Sequence, residues 1–238
     1  MSYNLQGIVR KASTNLTTEF DRLAYITQNI ANTNTNAYKG IRFEDVIDAD
    51  GSVYGVERKD FSKGAFLNTK NPLDVALDGA GFIPVTTLSG EIRYTRDGSF
   101  MTNKEGLLVT KNGDLVGSGI PIDTAAEKIE IRPNGDVYTY KRLIDEPEYS
   151  GTIPVVQFKN PEGLKDMGQS NYMATEEAGS MKLVVDHQLV KQYGVETTNV
   201  DMANEIYTIS RINASITAST SLMKAVNDMY SQAMNIAE

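Results

Sequence analysis

The chain has 238 residues, 40% hydrophobic and 23% charged, which suits one or two folded domains and excludes a disordered polyelectrolyte. A net charge of −8 without any basic run argues against a nucleic-acid surface. Cysteine is absent and the single histidine, His187, sits in the apolar run LVVDHQLV as a strand residue, so disulfides, thiolates and most zinc or acid–base chemistry drop out.

The first element is a helix. Leu5, Val9, Ala12, Leu16, Leu23, Ile26 and Ile30 are spaced by alternating threes and fours, a heptad seam. The opening MSYNLQGIVRKAS lacks the basic, apolar, small-residue order of a cleaved secretory signal, and no apolar stretch is long enough for a membrane span. Any export is therefore expected to use another route. The seam runs into IANTNTNAYKG, where Asn and Thr side chains compete for backbone hydrogen bonds, so the helix should stop and a turn-rich loop begin.

Residues 37–71 read as an irregular connector, and residues 72–190 as a β-rich body. In the body, Asp78-Gly79, Asp97-Gly98, Asn112-Gly113 and Asn134-Gly135 separate short runs such as FIPVTT, EIRYT, GLLVT, KIEIR and DVYTY, a pattern of hairpins. Leu73, Val75 and Leu77 alternate and should face one side. After a return segment at 191–200, residues 201–238 read as a second seam helix carrying Met202, Ile206, Ile209, Ile212, Ile216, Met223, Val226, Met229 and Ile236. The fold class is α+β: a mainly-β body between long terminal helices 1–36 and 201–238. Their apolar stripes call for helix-on-helix packing, with each other or with neighbouring copies.

Tests for chemistry give nothing positive. The GxG at Gly79-Ala80-Gly81 departs from a dinucleotide fingerprint at Pro84, and DADGSVYGVE places Val53 where a calcium loop needs glycine. Asp74, Asp78 and Asp97 could pair as glycosidase carboxylates but lie in turn contexts. No catalytic, cofactor or metal residue is assigned, and the chain is read as a non-enzyme. Two other readings stay open: an envelope glycan-binding module and a carbohydrate-active enzyme.

A resemblance gives the pattern a direction. Gln28-Asn29-Ile30-Ala31-Asn32, then Tyr38-Lys39, resembles the signature of flagellar axial proteins, the rod and hook family, with Ala37 where glycine is usual. The resemblance continues in Asn71-Pro72-Leu73-Asp74-Val75-Ala76-Leu77-Asp78-Gly79-Ala80-Gly81-Phe82 and in Tyr94-Thr95-Arg96-Asp97-Gly98-Ser99-Phe100. It returns at Val195-Glu196-Thr197-Thr198-Asn199-Val200-Asp201. These blocks keep their order over nearly the whole chain. The resemblance implies a basal-body rod protein that is exported unfolded by the flagellar type III apparatus. It also implies stacking, through the two seam helices, with copies of itself and other rod proteins in the periplasm-spanning rod. The short connector after Asp45 favours a proximal-rod type, against the distal-like Val195–Val200 block. No cofactor and no nucleic-acid partner are implied.

Overall fold

A computed structural model describes residues 5–49, 53–142, 146–185 and 188–237, so His187 lies outside the described residues. The chain divides into two compact units. Residues 1–33, 40–60 and 200–238 form the first, and residues 34–39 and 61–199 the second.

The first unit holds α1 (Leu5–Ala31), β1 (Ile41–Ile47), β2 (Val53–Lys59) and, at the far end of the sequence, α2 (Met202–Ala237). The helices run antiparallel: Asn29 meets Glu205, while Asn15 Nδ2 reaches Ser219 Oγ at 3.1 Å. Ala12 and Ile26 of α1 and Ile212 and Val226 of α2 are buried. The Asn/Thr run ends α1 as expected. Asn32 Nδ2 donates to the Gln28 carbonyl at 2.9 Å and Thr33 Oγ1 to the Ile30 carbonyl at 2.9 Å, satisfying groups the last turn leaves open. Asp201 caps α2, its Oδ1 accepting the Ala203 N–H at 2.9 Å and the Asn204 N–H at 3.3 Å.

The expected irregular connector is corrected over residues 41–59. Here β1 and β2 pair antiparallel from Ile41↔Lys59 to Ile47↔Val53. Charged residues on exposed positions hid the period-two pattern. Gly55 leaves space that the Phe43 ring fills from the facing strand; a Cβ there would lie 1.6 Å from the ring. Tyr25 stacks on Phe43 at 5.7 Å and the Arg22 guanidinium covers the same ring at 5.0 Å, so the hairpin packs on α1.

The second unit opens with β3 (Phe66–Asn68), β4 (Val75–Leu77), β5 (Ile83–Thr86), β6 (Ile92–Thr95) and β7 (Phe100–Thr102). It continues with β8 (Leu108–Thr110), β9 (Leu115–Val116), β10 (Lys128–Ile131), β11 (Asp136–Tyr140) and β12 (Glu148–Thr152). It ends with β13 (Val156–Phe158), β14 (Lys165–Gly168), β15 (Asn171–Met173), β16 (Met181–Leu183), β17 (Val190–Gln192) and β18 (Gly194–Glu196). The main sheet has the order β14-β15-β6-β5-β9-β8-β7; β10-β11-β12 form a smaller sheet, and β3/β18, β4/β17 and β13/β16 pair separately. One aliphatic core gathers Val75, Leu77, Ile83, Leu108, Val116, Val137, Ile153 and Val190. A second, aromatic core joins Phe82, Tyr94, Phe158 and Tyr172 through edge-on contacts, with Tyr94 and Phe158 at 4.8 Å.

Asn112-Gly113 and Asn134-Gly135 are hairpin turns, joining β8 to β9 and β10 to β11. Asp78-Gly79 and Asp97-Gly98 are not, because the strands they separate do not pair with each other: β4 pairs with β17 rather than β5, and β6 pairs with β5 and β15 rather than β7. Gly98 is there for close approach: a Cβ would fall 1.9 Å from the Val75 carbonyl oxygen. Leu73 packs against the aliphatic core, and Val75 and Leu77 lie inside it, yet Asp74 and Ala76 are buried too. Both faces of this short strand are covered, so its alternation does not separate inside from outside.

Candidate functional site: helix faces and a buried motif cluster

The seam residues divide into two sets within the first unit. Ile26 and Val226 are buried in the helix pair, and Val9, Leu16, Leu23, Ile30, Ile209, Ile216 and Met223 are half-buried along it. The Leu5 side chain lies outside the described residues. Ile206 differs: it is 55% exposed, beside Tyr207 at 62%, with Leu222 and Met229 exposed further along α2 and Phe20 on α1. One antiparallel partner can cover only part of a helix's circumference, so a stripe read from sequence as continuous is shared between covered and open faces.

Asn29 explains its place in the motif. Its Nδ2 donates to the Ile41 carbonyl at 2.9 Å and to Glu205 Oε1 at 2.8 Å, and its Oδ1 accepts the Ile41 N–H at 2.8 Å. One side chain joins the end of α1, the start of β1 and the first turn of α2. Burial pushes the Glu205 carboxyl above its ordinary value and Asp201 adds to this, while the Asn29 hydrogen bond opposes them. Ala31 is exposed and Asn32 is half-buried. On the hairpin side, a hydrogen bond to Glu57, with burial, pushes the Tyr25 hydroxyl up to about 12.

In the second unit the motif blocks converge on one buried cluster. Lys39, Arg96 and Glu196 are 0%, 2% and 1% exposed. Glu196 Oε1 accepts Lys39 Nζ at 2.7 Å and the Gly64 N–H at 2.8 Å; Oε2 accepts Arg96 Nε at 2.9 Å and pairs with Nη2 at 2.8 Å. Arg96 also donates from Nη1 to the Gly81 carbonyl at 2.7 Å and from Nη2 to that of Gly79 at 3.0 Å. Lys39 Nζ reaches the Ser62 carbonyl at 2.6 Å, and Asn199 Nδ2 bonds the Ser62 hydroxyl at 3.0 Å. Sequence reading singles out Lys39, Arg96 and the two glycines as motif residues, and includes Glu196 in the Val195–Asp201 block without giving it a role. The available signal was a lone acid in the apolar-leaning run GVETTNV, opposite two motif cations in need of an anion.

The other motif residues hold turns and core. Asp97 Oδ1 accepts the Ser99 N–H at 3.0 Å and its hydroxyl at 2.7 Å, and Thr95 Oγ1 donates to the Ser170 carbonyl at 2.9 Å. Asp74 accepts from Thr69 Oγ1 at 2.6 Å and Asn71 Nδ2 at 2.9 Å. Asp78 is bound by Lys191 and Lys63, which lower its carboxyl to about 2. Each aspartate considered for glycoside chemistry is thus engaged in a turn or an ion pair. Tyr38 and Phe82 are buried, Val200 is half-buried, and burial raises the Tyr172 hydroxyl above its usual range. Ala37 is fully buried at φ 53°, in the left-handed region, which is the physical reason for glycine at that point in the related signature.

Comparisons with known proteins agree with this arrangement. Residues 76–139 match the family described as "Flagellar hook protein FlgE/F/G D1 domain". The flagellar basal-body rod protein FlgG of Caulobacter vibrioides is 30% identical over 227 residues, covering 83% of this chain and 87% of the relative. FlgG of Bacillus subtilis is 28% identical over 219 residues, covering 77% and 81%. The rod protein FlgF of Caulobacter vibrioides is 38% identical over 133 residues, covering 48% and 54%. The relatives that span most of the chain are of the FlgG, distal-rod type, which corrects the proximal-rod expectation drawn from the short connector. Length between structured elements changes at little thermodynamic cost and is a weak marker of type.

Proposed function

The chain belongs to the flagellar basal-body rod proteins, and from that premise we propose how it serves as a structural subunit of the rod. The open faces of α1 and α2 pack against copies of this chain and other rod proteins. The helices thereby form the inner wall of a helical polymer that carries torque from motor to hook across the periplasm. The subunit reaches the growing rod unfolded, through the flagellar type III apparatus.

One observation carries this reading: α2 buries Ile212 and Val226 in the helix pair while leaving Ile206, Tyr207, Leu222 and Met229 open to solvent. Exposed apolar side chains repeated along a helix suit an assembly face. The family is structural rather than enzymatic, and the aspartates proposed for sugar chemistry are occupied, so no observation favours the glycan-binding or enzymatic alternatives. Among the described residues no helix is long and apolar enough to cross a membrane.

The experiment is Ile206→Asp and Leu222→Asp in a motile strain. These side chains are exposed in the chain itself, so the fold should change by no more than about 0.5 kcal/mol. Burial of an unpaired carboxylate would recur at every subunit contact. The expected result is a secreted, folded subunit, no rod and no swimming. Normal motility with both substitutions would sink the assembly face.

A further inference from the structure

We propose that the second unit is locked by its last strand, so that it cannot close until the segment ending at Glu196 has been delivered. Four stretches far upstream build the cluster: Lys39, the Ser62–Gly64 backbone, the Gly79 and Gly81 carbonyls, and Arg96. Among the described residues, Glu196 is the carboxylate that neutralises Arg96, and it comes 100 positions later in the chain. A guanidinium held at 2% exposure is strongly unfavourable without its anion. Closing the main sheet and cores before Glu196 arrives would leave the Arg96 guanidinium on the Gly79 and Gly81 carbonyls without its anion.

The same segment also completes the backbone. β17 pairs with β4, and Val190 enters the aliphatic core. Gln192 binds three separate backbone groups: its Oε1 accepts the Ile131 N–H at 3.1 Å, and its Nε2 donates to the carbonyls of Ile129 at 3.0 Å and Pro72 at 2.7 Å. β18 pairs with β3, and the Glu196 carbonyl accepts the Ala37 N–H at 2.8 Å. Residues 190–196 therefore supply two strands, a core side chain and the counter-charge together. A chain delivered N-terminus first, from a ribosome or through a narrow channel, would keep residues 34–189 open until its final fifth emerged. This inference rests on the unit's own geometry and stands whether or not the chain polymerises.

The test holds the whole chain on a stalled ribosome by C-terminal linkers of increasing length and measures protease resistance of the second unit. Resistance should appear abruptly once residue 196 has left the tunnel, and should be absent when only residues up to 179 are out. In the released full chain, Glu196→Gln should be cleaved at least tenfold faster than wild type, while Glu105→Gln, an exposed charge deletion, should match wild type. Resistance with residues 180–238 still sequestered would overturn the proposal, even if Glu196→Gln fails to fold. Wild-type resistance of Glu196→Gln would overturn it as well.

Discussion

Asn29 binds the backbone of Ile41 on two sides, donating to its carbonyl at 2.9 Å and accepting its N–H at 2.8 Å. The amide stands in for a neighbouring strand and starts β1 twelve residues downstream. Asn29→Asp keeps the acceptor but loses the donor to the Ile41 carbonyl and sets a second carboxylate against Glu205. The first unit should lose about 2–4 kcal/mol. The raised Glu205 carboxyl means the folded state binds protons more readily than the unfolded one, so its ionisation lowers stability as pH rises through the folded value. The Asn29→Asp loss should accordingly shrink on acidification towards pH 4.5, the ordinary carboxyl value. Urea unfolding followed by helical circular dichroism at several pH values checks this; a pH-independent loss would contradict it.

Ala37 sits at φ 53° with no exposed surface, and its N–H donates to Glu196. Glycine would relieve left-handed strain but give up one buried methyl, so Ala37→Gly should stay within about 1 kcal/mol of wild type. A β-branched side chain adds both strain and volume, and Ala37→Val should cost about 2–4 kcal/mol. Thermal melting of the two variants side by side distinguishes a left-handed site from an ordinary buried alanine, at which valine would be the milder change.

Val75 lies fully buried between Gly98 and Gln192, paired in register with the latter. Val75→Asp should destabilise the second unit by about 3–5 kcal/mol, since it sets a carboxylate among the aliphatic side chains of the core. The temperature at which residues 61–199 become protease-sensitive reports this unit. An unchanged melting temperature would refute the placement of β4 in the core.

Asp78 tests the acid limb. Lys191 and then Lys63 depress its carboxyl from 3.8 to about 2, so its contribution is present above pH 4 and is lost as pH falls through about 2. A carbon-13 titration of the side chain should place the midpoint near 2, and Lys191→Ala should move it towards 3.8. A midpoint that ignores Lys191→Ala would mean the pair does not form in solution.

The terminal helices, the stop at the Asn/Thr run, two hairpin turns and the family were legible in the sequence. Each depends on chemistry local to a few residues, or on motif blocks whose order can be read without a fold. Heptad spacing marks a helix face whatever covers it, and Asn or Thr ends a helix with its own side chain, as Asn32 and Thr33 do. Tertiary structure alone decided which part of each stripe is covered, leaving Ile206 open where Ile212 is buried. It alone turned Asp97-Gly98 from a hairpin turn into a corner packed on Val75, and found a strand pair under the charges of residues 41–59. It also brought Lys39, Arg96 and Glu196 together. The physical reason is range: burial and charge pairing depend on distant neighbours, Lys39 and Glu196 being 157 positions apart, and no local pattern encodes which distant residue will supply the missing anion.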